Sequence, residues 1–132
     1  MYSKIKPYLP SDHLIGKVSL FLSVMAIIFF LSHQPRVMDG LPQISGLDKI
    51  LHFIAYFTLA LSWILSLSKN KVPSLVSKTF VFSMLFALSD EFHQTFVPTR
   101  SFEILDLVAD AAGIFFALIL ISIIQRDRWA RI

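Results

Sequence analysis

The sequence contains no cysteine, and this absence excludes disulfide frameworks, thiolate zinc sites and cysteine nucleophiles. Charged residues are also scarce, at 16% of the 132 residues, whereas a soluble domain carries about 25%. With only four glycines and six prolines, the chain has no low-complexity tract and no flexible linker. These shortages together exclude an ordinary soluble globular protein.

The chain is rich in hydrophobic residues. They form 55% of the chain, including 13 phenylalanines, and the mean hydropathy is +0.68. Four apolar stretches are each close to the ~20 residues needed to cross a bilayer. They cover residues 14–31, 50–67, 72–89 and 104–124, and the third is the weakest because it contains Pro73 and Lys78. The sequence therefore predicts an all-α fold, in which residues 1–132 form a single membrane domain with four transmembrane helices.

Two other interpretations of these stretches fit less well. A soluble helical bundle would need more polar sequence than the four stretches leave to cover its core. A cleaved signal peptide at 14–31 would be followed by a small-x-small cleavage site, but the chain continues Ser-His-Gln-Pro at 32–35. We therefore expect the first helix to be retained.

The basic residues are unevenly distributed along the chain. Nine of the 12 lie in the N-terminal arm, in and around the connection between the second and third stretches, and in the C-terminal tail. The other two connections and their adjoining helix ends carry three basic and seven acidic residues. The positive-inside rule therefore predicts a multi-pass protein with both termini in the cytoplasm. Membrane topology accounts for the pI of about 9.4, so the expected partner is the lipid bilayer and not nucleic acid.

The same topology gathers the unusual polar residues at the extracytoplasmic ends of the four helices. Within each helix they recur at spacings of three or four residues, so that they share a face. Closely placed acids and bases suit general acid–base chemistry, and cations suit an anionic ligand. The catalytic candidates are Asp48, His52 and Glu91, and the substrate-binding candidates are Lys49, Tyr56, Asp90, Gln94, Arg100, Asp106 and Asp110.

Each of these candidates also has a structural interpretation. Asp48 suits the N-cap of the second helix, Lys49 suits a side chain that reaches to the headgroups, and His52 suits a hydrogen bond between helices. Tyr56 suits packing, as does the small-residue run at 109–117. No H-E-x-x-H motif and no pair of histidines four residues apart is present, so we expect neither a metal nor a cofactor.

Three segments carry a resemblance to a known family. DKILHFIAY at 48–56 resembles the D-K-x-x-H-F-x-x-Y opening of the VanZ-like family, and DEFHQTFVPTR at 90–100 resembles its D-E-x-x-Q-x-F-x-P-x-R segment. DLVADAAG at 106–113 is similar to its D-x-x-x-N-x-x-G ending, although Asp110 stands where the family usually has asparagine. A carboxylate only accepts hydrogen bonds, whereas an amide also donates them. We therefore expect Asp110 either to be protonated or to lie beside a basic neighbour.

The resemblance implies a small integral protein of the bacterial cytoplasmic membrane. The family takes its name from a member associated with resistance to the glycopeptide teicoplanin, and its general biochemical activity is not established. The resemblance thus implies fold and location more than mechanism.

Three functional hypotheses follow from the residues. In the first, the polar residues bind or modify an anionic lipid-linked compound of the cell envelope, and any catalysis is hydrolysis or group transfer at the membrane interface. In the second, the protein is a non-enzymatic assembly or binding module, and its polar network only locks the helices together. The third is a small transporter with a path through Asp110. It is disfavoured because no ionisable residue lines the cytoplasmic half of the second or fourth helix.

Overall fold

The protein is described by a computed structural model that covers residues 12–35, 46–67 and 72–129. These residues form four helices: α1 (Asp12–Ser32), α2 (Leu47–Leu67), α3 (Val72–Gln94) and α4 (Ile104–Trp129). The described part of the chain contains no strand, so the predicted all-α fold is confirmed. The basic N-terminal arm, the Lys69 and Lys71 positions and Arg131 lie outside the described residues.

Local sequence explains where the helices begin and end. α1 ends at Ser32, shortly before Pro35, because the residue before a proline is driven out of the helical conformation. Gly46 has a φ of 88°, and its carbonyl accepts the Ile50 N–H at 3.2 Å, so Gly46 leads into α2. Asp48 therefore lies inside the first turn of α2, and the N-cap interpretation of Asp48 is wrong.

Contacts at one end of the bundle define the direction of each helix. The C-terminal ends of α1 and α3 meet through Ser32 and Asp90, with 2.7 Å between Oγ and Oδ2. The second turns of α2 and α4 meet through His52 and Asp110, with 2.9 Å between Nδ1 and Oδ1. His52 also lies 3.8 Å from Glu91 at the end of α3. α1 and α3 therefore run in one direction, and α2 and α4 run in the other.

The α2–α4 contact is the most extensive in the bundle. Leu59 and Ile64 of α2 and Ile114 of α4 are at most 1% exposed in the core. Gly113 allows a very close approach, because a Cβ at this position would meet the Phe53 carbonyl oxygen of α2 and lie 2.9 Å from a second backbone atom of that helix. The small-residue run thus serves packing, as its spacing predicts.

An aromatic cluster packs α1 and α3 against α2. The Trp63 ring of α2 stacks on Phe82 of α3, with 4.3 Å between centroids and 7° between planes. Phe21 of α1 packs on the same indole at 4.6 Å. Offset and tilted ring pairs of this kind add about 0.5–1.5 kcal/mol beyond the burial of their area. Trp63 is therefore a packing residue.

The outer surface of the bundle is apolar. Large hydrophobic side chains such as Phe30, Leu85 and Ile104 are exposed at 64%, 62% and 70%. A soluble monomer rarely exposes contiguous apolar surface on this scale. Three helices, α1, α2 and α4, contain apolar segments long enough to cross a bilayer, at Ile15–Ser32, Leu47–Ser66 and Ile104–Ile124. The chain therefore has the character of a membrane protein.

Candidate functional site

The polar residues of four sequence segments come together at one end of the bundle. We call this group the polar cluster. It comprises Asp48, Lys49 and His52 of α2, Asp90, Glu91 and Gln94 of α3, Arg100 and Glu103 of the following loop, and Asp106 and Asp110 of α4. The sequence predicts that nine of these ten residues share a site, and the structure brings all nine together. The catalytic and binding roles assigned to them remain predictions.

Lys49 lies among three carboxylates. Its Nζ is 2.9 Å from Asp48 Oδ2, 2.6 Å from Glu103 Oε2 and 2.5 Å from Asp106 Oδ1. The contacts with Asp48 and Glu103 are hydrogen bonds, and the contact with Asp106 is an ion pair. Lys49 is therefore a bridge between α2 and α4 and not a snorkelling side chain. Three carboxylates already surround its ammonium, which leaves it poorly placed for an anionic ligand.

His52 lies one turn after Lys49 on α2, among a second group of carboxylates. Its Nδ1 lies 2.9 Å from Asp110 Oδ1 and 3.8 Å from Glu91 Oε1, and its Nε2 lies 3.8 Å from Asp106 Oδ2. Glu91, Asp106 and Asp110 are at most 1% exposed. His52 is thus the basic neighbour expected for Asp110, and it accounts for a carboxylate where the VanZ-like pattern has an amide.

Glu91 connects the end of α3 to the start of α4. One carboxylate oxygen accepts the Glu103 backbone N–H at 3.1 Å, and the other accepts the Gln94 side-chain N–H at 3.4 Å. Gln94 Oε1 in turn accepts an Arg100 guanidinium N–H at 2.9 Å. Because these contacts hold both ends of the loop between α3 and α4, they fix where Arg100 lies.

The loop itself contains a strained residue. The Val97 carbonyl accepts the Arg100 N–H at 3.2 Å, which closes a turn with Pro98 and Thr99 at its centre. Thr99 has a φ of 67°, a conformation that β-branched residues rarely adopt. Such strain persists only where the surroundings hold it in place. The turn places the Arg100 guanidinium within hydrogen-bond distance of Gln94 Oε1.

Asp90 connects α3 to α1. Its Oδ2 accepts the Ser32 hydroxyl at 2.7 Å and the Gln94 amide at 3.3 Å. The Tyr56 side chain is 1% exposed and lines the same cavity as Asp90. Tyr56 therefore combines the packing role and a place beside the site, both of which its position in the sequence allows.

A cavity of about 530 Å³ lies between α1 and α2 and reaches the polar cluster. Its walls are mostly apolar, and lining residues such as Ile27 and Ile54 are 57% and 52% exposed at the outer surface of the bundle. The polar end of the cavity is formed by Gln34, Asp48, His52, Asp90 and Arg100. The cavity thus joins the exposed apolar surface of the bundle to charged groups.

Two sets of side chains have the donor types and spacing to hold a cation. One is His52, Glu91 and Asp110, and the other is Asp48, Glu103 and Asp106. In each set the donor atoms lie within 4.8 Å of one another. The Lys49 ammonium contacts all three residues of the second set.

Sequence reasoning missed two members of the network. Glu103 precedes Asp106 by three residues, a spacing that would have placed both carboxylates on one side of the α4 start. Ser32 gave no comparable signal, because its contact with Asp90 depends on how α1 packs. His33 and His93 form a pair of their own at the end of α1 and α3, with 3.1 Å between Nδ1 and Nε2.

The chain belongs to the VanZ/LLP1 family, whose model matches residues 13–125. The predicted membership in the VanZ-like family is thereby confirmed. The chain is also similar to an uncharacterized protein of the fission yeast Schizosaccharomyces pombe, with 29% identity over 117 residues, which are 87% of this chain and 68% of the yeast protein. Similarity to this chain is thus not confined to bacterial proteins. No solved structure matches it.

Proposed function

We propose that the protein binds an anionic lipid-linked compound, with the lipid chain in the α1–α2 cavity and the anionic head at the polar cluster. The observation that carries the proposal is the cavity itself, whose lining combines apolar side chains exposed at the bundle surface with the charged residues Asp48, Asp90 and Arg100. Ligand sites typically combine apolar walls with a few convergent polar groups, in volumes of about 300–1,000 Å³. The cavity fits this description.

Arg100 is the group best placed to receive the anionic head. It lines the cavity, and among the described residues its Nε is buried without a hydrogen-bond partner. A guanidinium binds phosphate through paired N–H groups. Lys49, the other cation considered from the sequence, is held by three carboxylates. We therefore assign the anion to Arg100.

If the bound head is also modified, His52 is the residue able to move a proton there. It lines the cavity, and Asp110 holds its Nδ1 at 2.9 Å. Glu91 does not line the cavity, and its carboxylate holds a backbone N–H, which suits positioning. The alternative function is a non-enzymatic assembly module, which is favoured by the way the polar cluster ties all four helices together.

Binding of a polyprenyl phosphate to the purified chain tests this proposal. We expect Arg100→Gln to weaken binding about tenfold or more, because a charge-assisted hydrogen bond contributes roughly 1.5–3 kcal/mol. Ala55→Trp should also weaken it by filling the cavity. The matched control is Val76→Trp, in an apolar groove between α3 and α4 that has no acidic or basic lining residue. Affinities can be measured by native mass spectrometry.

Two other probes separate the sources of binding. Polyprenol has the lipid chain without the charge, and inorganic phosphate has the charge without the chain. We expect both to bind more weakly than the polyprenyl phosphate. Equal affinity for polyprenol and its phosphate, or equal affinity of all three variants and the unaltered protein, would rule out the proposed site and favour the assembly module.

We also propose that α3 crosses the membrane as a fourth span, with both termini in the cytoplasm and the polar cluster at the extracytoplasmic face. The antiparallel course of α3 and the length of the helix support this topology. Lys17 near the start of α1 and Lys78 near the start of α3 are both exposed, and both lie in the half of the bundle away from the polar cluster. The positive-inside rule assigns such basic residues to the cytoplasmic side.

Cysteine labelling tests the topology cleanly because the chain has no cysteine of its own. We expect Ser101→Cys to react with a membrane-impermeant maleimide in intact cells, and Ser3→Cys to react only after lysis. Three crossings separate the two positions if α3 spans the bilayer, but only two do so if it does not. Labelling of both positions from the same side would therefore contradict a fourth crossing.

A further inference from the structure

His52, Glu91 and Asp110 form a set of potential metal ligands from three different helices. Their donor atoms lie within 4.8 Å of one another, and Glu91 and Asp110 are 0% exposed. Among the described residues, Asp110 Oδ2 is buried without a hydrogen-bond partner. A buried carboxylate oxygen without a partner is costly, so it points to a group that binds there.

The charge balance of the polar cluster points the same way. Six carboxylates lie together with two permanent cations, Lys49 and Arg100, and one histidine. Even with His52 protonated, the cluster has three more negative than positive charges. Buried charges of one sign are strongly unfavourable in a low-dielectric surrounding unless a cation or a proton neutralises them.

The two carboxylate sets differ in what compensates them. The set of Asp48, Glu103 and Asp106 has the Lys49 ammonium between its members. The set of His52, Glu91 and Asp110 has no such cation, because its one basic group is His52. A cation bound to His52, Glu91 and Asp110 would neutralise these carboxylates, as Lys49 does for the other set.

We propose that His52, Glu91 and Asp110 bind a single divalent transition-metal cation. One imidazole nitrogen and two carboxylate oxygens make a donor set that suits Zn²⁺ and related ions, whereas Mg²⁺ prefers oxygen ligands alone. When the metal binds, it replaces any proton held between His52 Nδ1 and Asp110 Oδ1, and that proton is released to solvent. This differs from the expectation drawn from the sequence motifs.

The cation would retain an open position. Three protein ligands leave at least one coordination position on Zn²⁺ free for water or for an anionic ligand. His52 lines the α1–α2 cavity, so the open position would be reached from there. Metal binding needs neither the lipid-linked ligand nor Arg100, so this inference can be tested separately from the proposed function.

Zinc titration of the purified full-length chain by isothermal calorimetry tests the inference. We expect one equivalent of Zn²⁺ to bind, and Asp110→Asn to weaken the affinity by at least about tenfold, the loss that follows even the removal of a group supporting a ligand. Asparagine keeps the shape of the side chain, so this variant should fold. His52→Ala should abolish the binding, and Mg²⁺ should bind more weakly than Zn²⁺.

His93→Ala is the control variant, because His33 and His93 form a separate pair that could also attract zinc. We expect it to retain the zinc affinity of the unaltered protein. Zinc should also raise the melting temperature of the unaltered protein and of His93→Ala, and at the same concentration it should raise that of Asp110→Asn less. Absence of zinc binding, equal affinity in Asp110→Asn, or loss of binding in His93→Ala would each overturn the inference.

Discussion

Replacing Lys49 with methionine should destabilise the protein by about 3 kcal/mol, because three carboxylates would lose the cation between them. Removing one partner of a buried ion pair costs about 3–5 kcal/mol, and the expected loss lies at the lower end of that range. The Asp48 and Glu103 side chains are 38% and 30% exposed, so water partly screens their repulsion, whereas Asp106 is 2% exposed. The measurement is the unfolding midpoint of the purified protein in detergent.

Three variants show whether the loss comes from charge. Lys49→Arg should retain most of the stability because it keeps the cation. Lys49→Met combined with Asp106→Asn should be more stable than Lys49→Met alone, since it removes the most buried of the three carboxylates. Lys78→Met, at an exposed position outside the polar cluster, should have no effect. If Lys49→Met and Lys78→Met unfold at the same midpoint, Lys49 does not stabilise the cluster.

The Lys49 and Arg100 variants distinguish the two kinds of role within the polar cluster. Lys49 is held by carboxylates on two sides of the α2–α4 contact, so its loss should reduce the amount of folded protein. Arg100 retains a donor without a partner among the described residues, so Arg100→Gln should affect ligand binding more than folding. A cluster that were structural throughout would lose stability with both substitutions.

The sequence predicts the fold well because helix length and hydropathy are local properties. It also predicts which polar residues share a helix face, since spacings of three and four residues depend only on helix geometry. It does not predict the pairings. Asp48 and His52 share a face of α2, yet Asp48 contacts Lys49 while His52 contacts Asp110. Those pairings depend on how α4 is rotated and shifted against α2.

The loop between α3 and α4 shows a second limit of the sequence. A positive φ at a threonine runs against the preference of β-branched residues, so no local rule predicts it at Thr99. The contacts of Glu91 with the Glu103 backbone and of Gln94 with Arg100 hold the loop in place. Because these contacts form only after α3 and α4 have packed, the position of Arg100 follows from tertiary structure.

The departure at Asp110 illustrates what the structure adds to a family pattern. The sequence allows either a protonated Asp110 or a basic neighbour. The structure supplies the neighbour, because His52 Nδ1 lies 2.9 Å from Asp110 Oδ1 across the α2–α4 contact. An asparagine at this position would keep a hydrogen bond with His52 but would remove a negative charge. The substitution therefore separates the charge of this site from its shape.

Gly113 is the residue on which the register of α2 and α4 depends most directly. The two backbones approach so closely here that a Cβ would meet the Phe53 carbonyl oxygen and lie 2.9 Å from the Phe57 backbone nitrogen. Backbone atoms cannot rotate away as a side chain can, so the helices would have to separate. The His52–Asp110 contact one turn away would then lengthen.

We therefore expect Gly113→Ala to destabilise the protein by about 3 kcal/mol, the upper end of the usual cost of overpacking a core. Gly16→Ala is the matched control: a Cβ there meets nothing within 4 Å, and alanine favours a helix over glycine by about 1 kcal/mol. Both variants add one methyl group to a helix. A lower unfolding midpoint for Gly113→Ala and a higher one for Gly16→Ala would therefore be due to the α2–α4 contact. If Gly113→Ala unfolds at or above the midpoint of the unaltered protein, the close approach of α2 and α4 at Gly113 does not limit how the two helices pack.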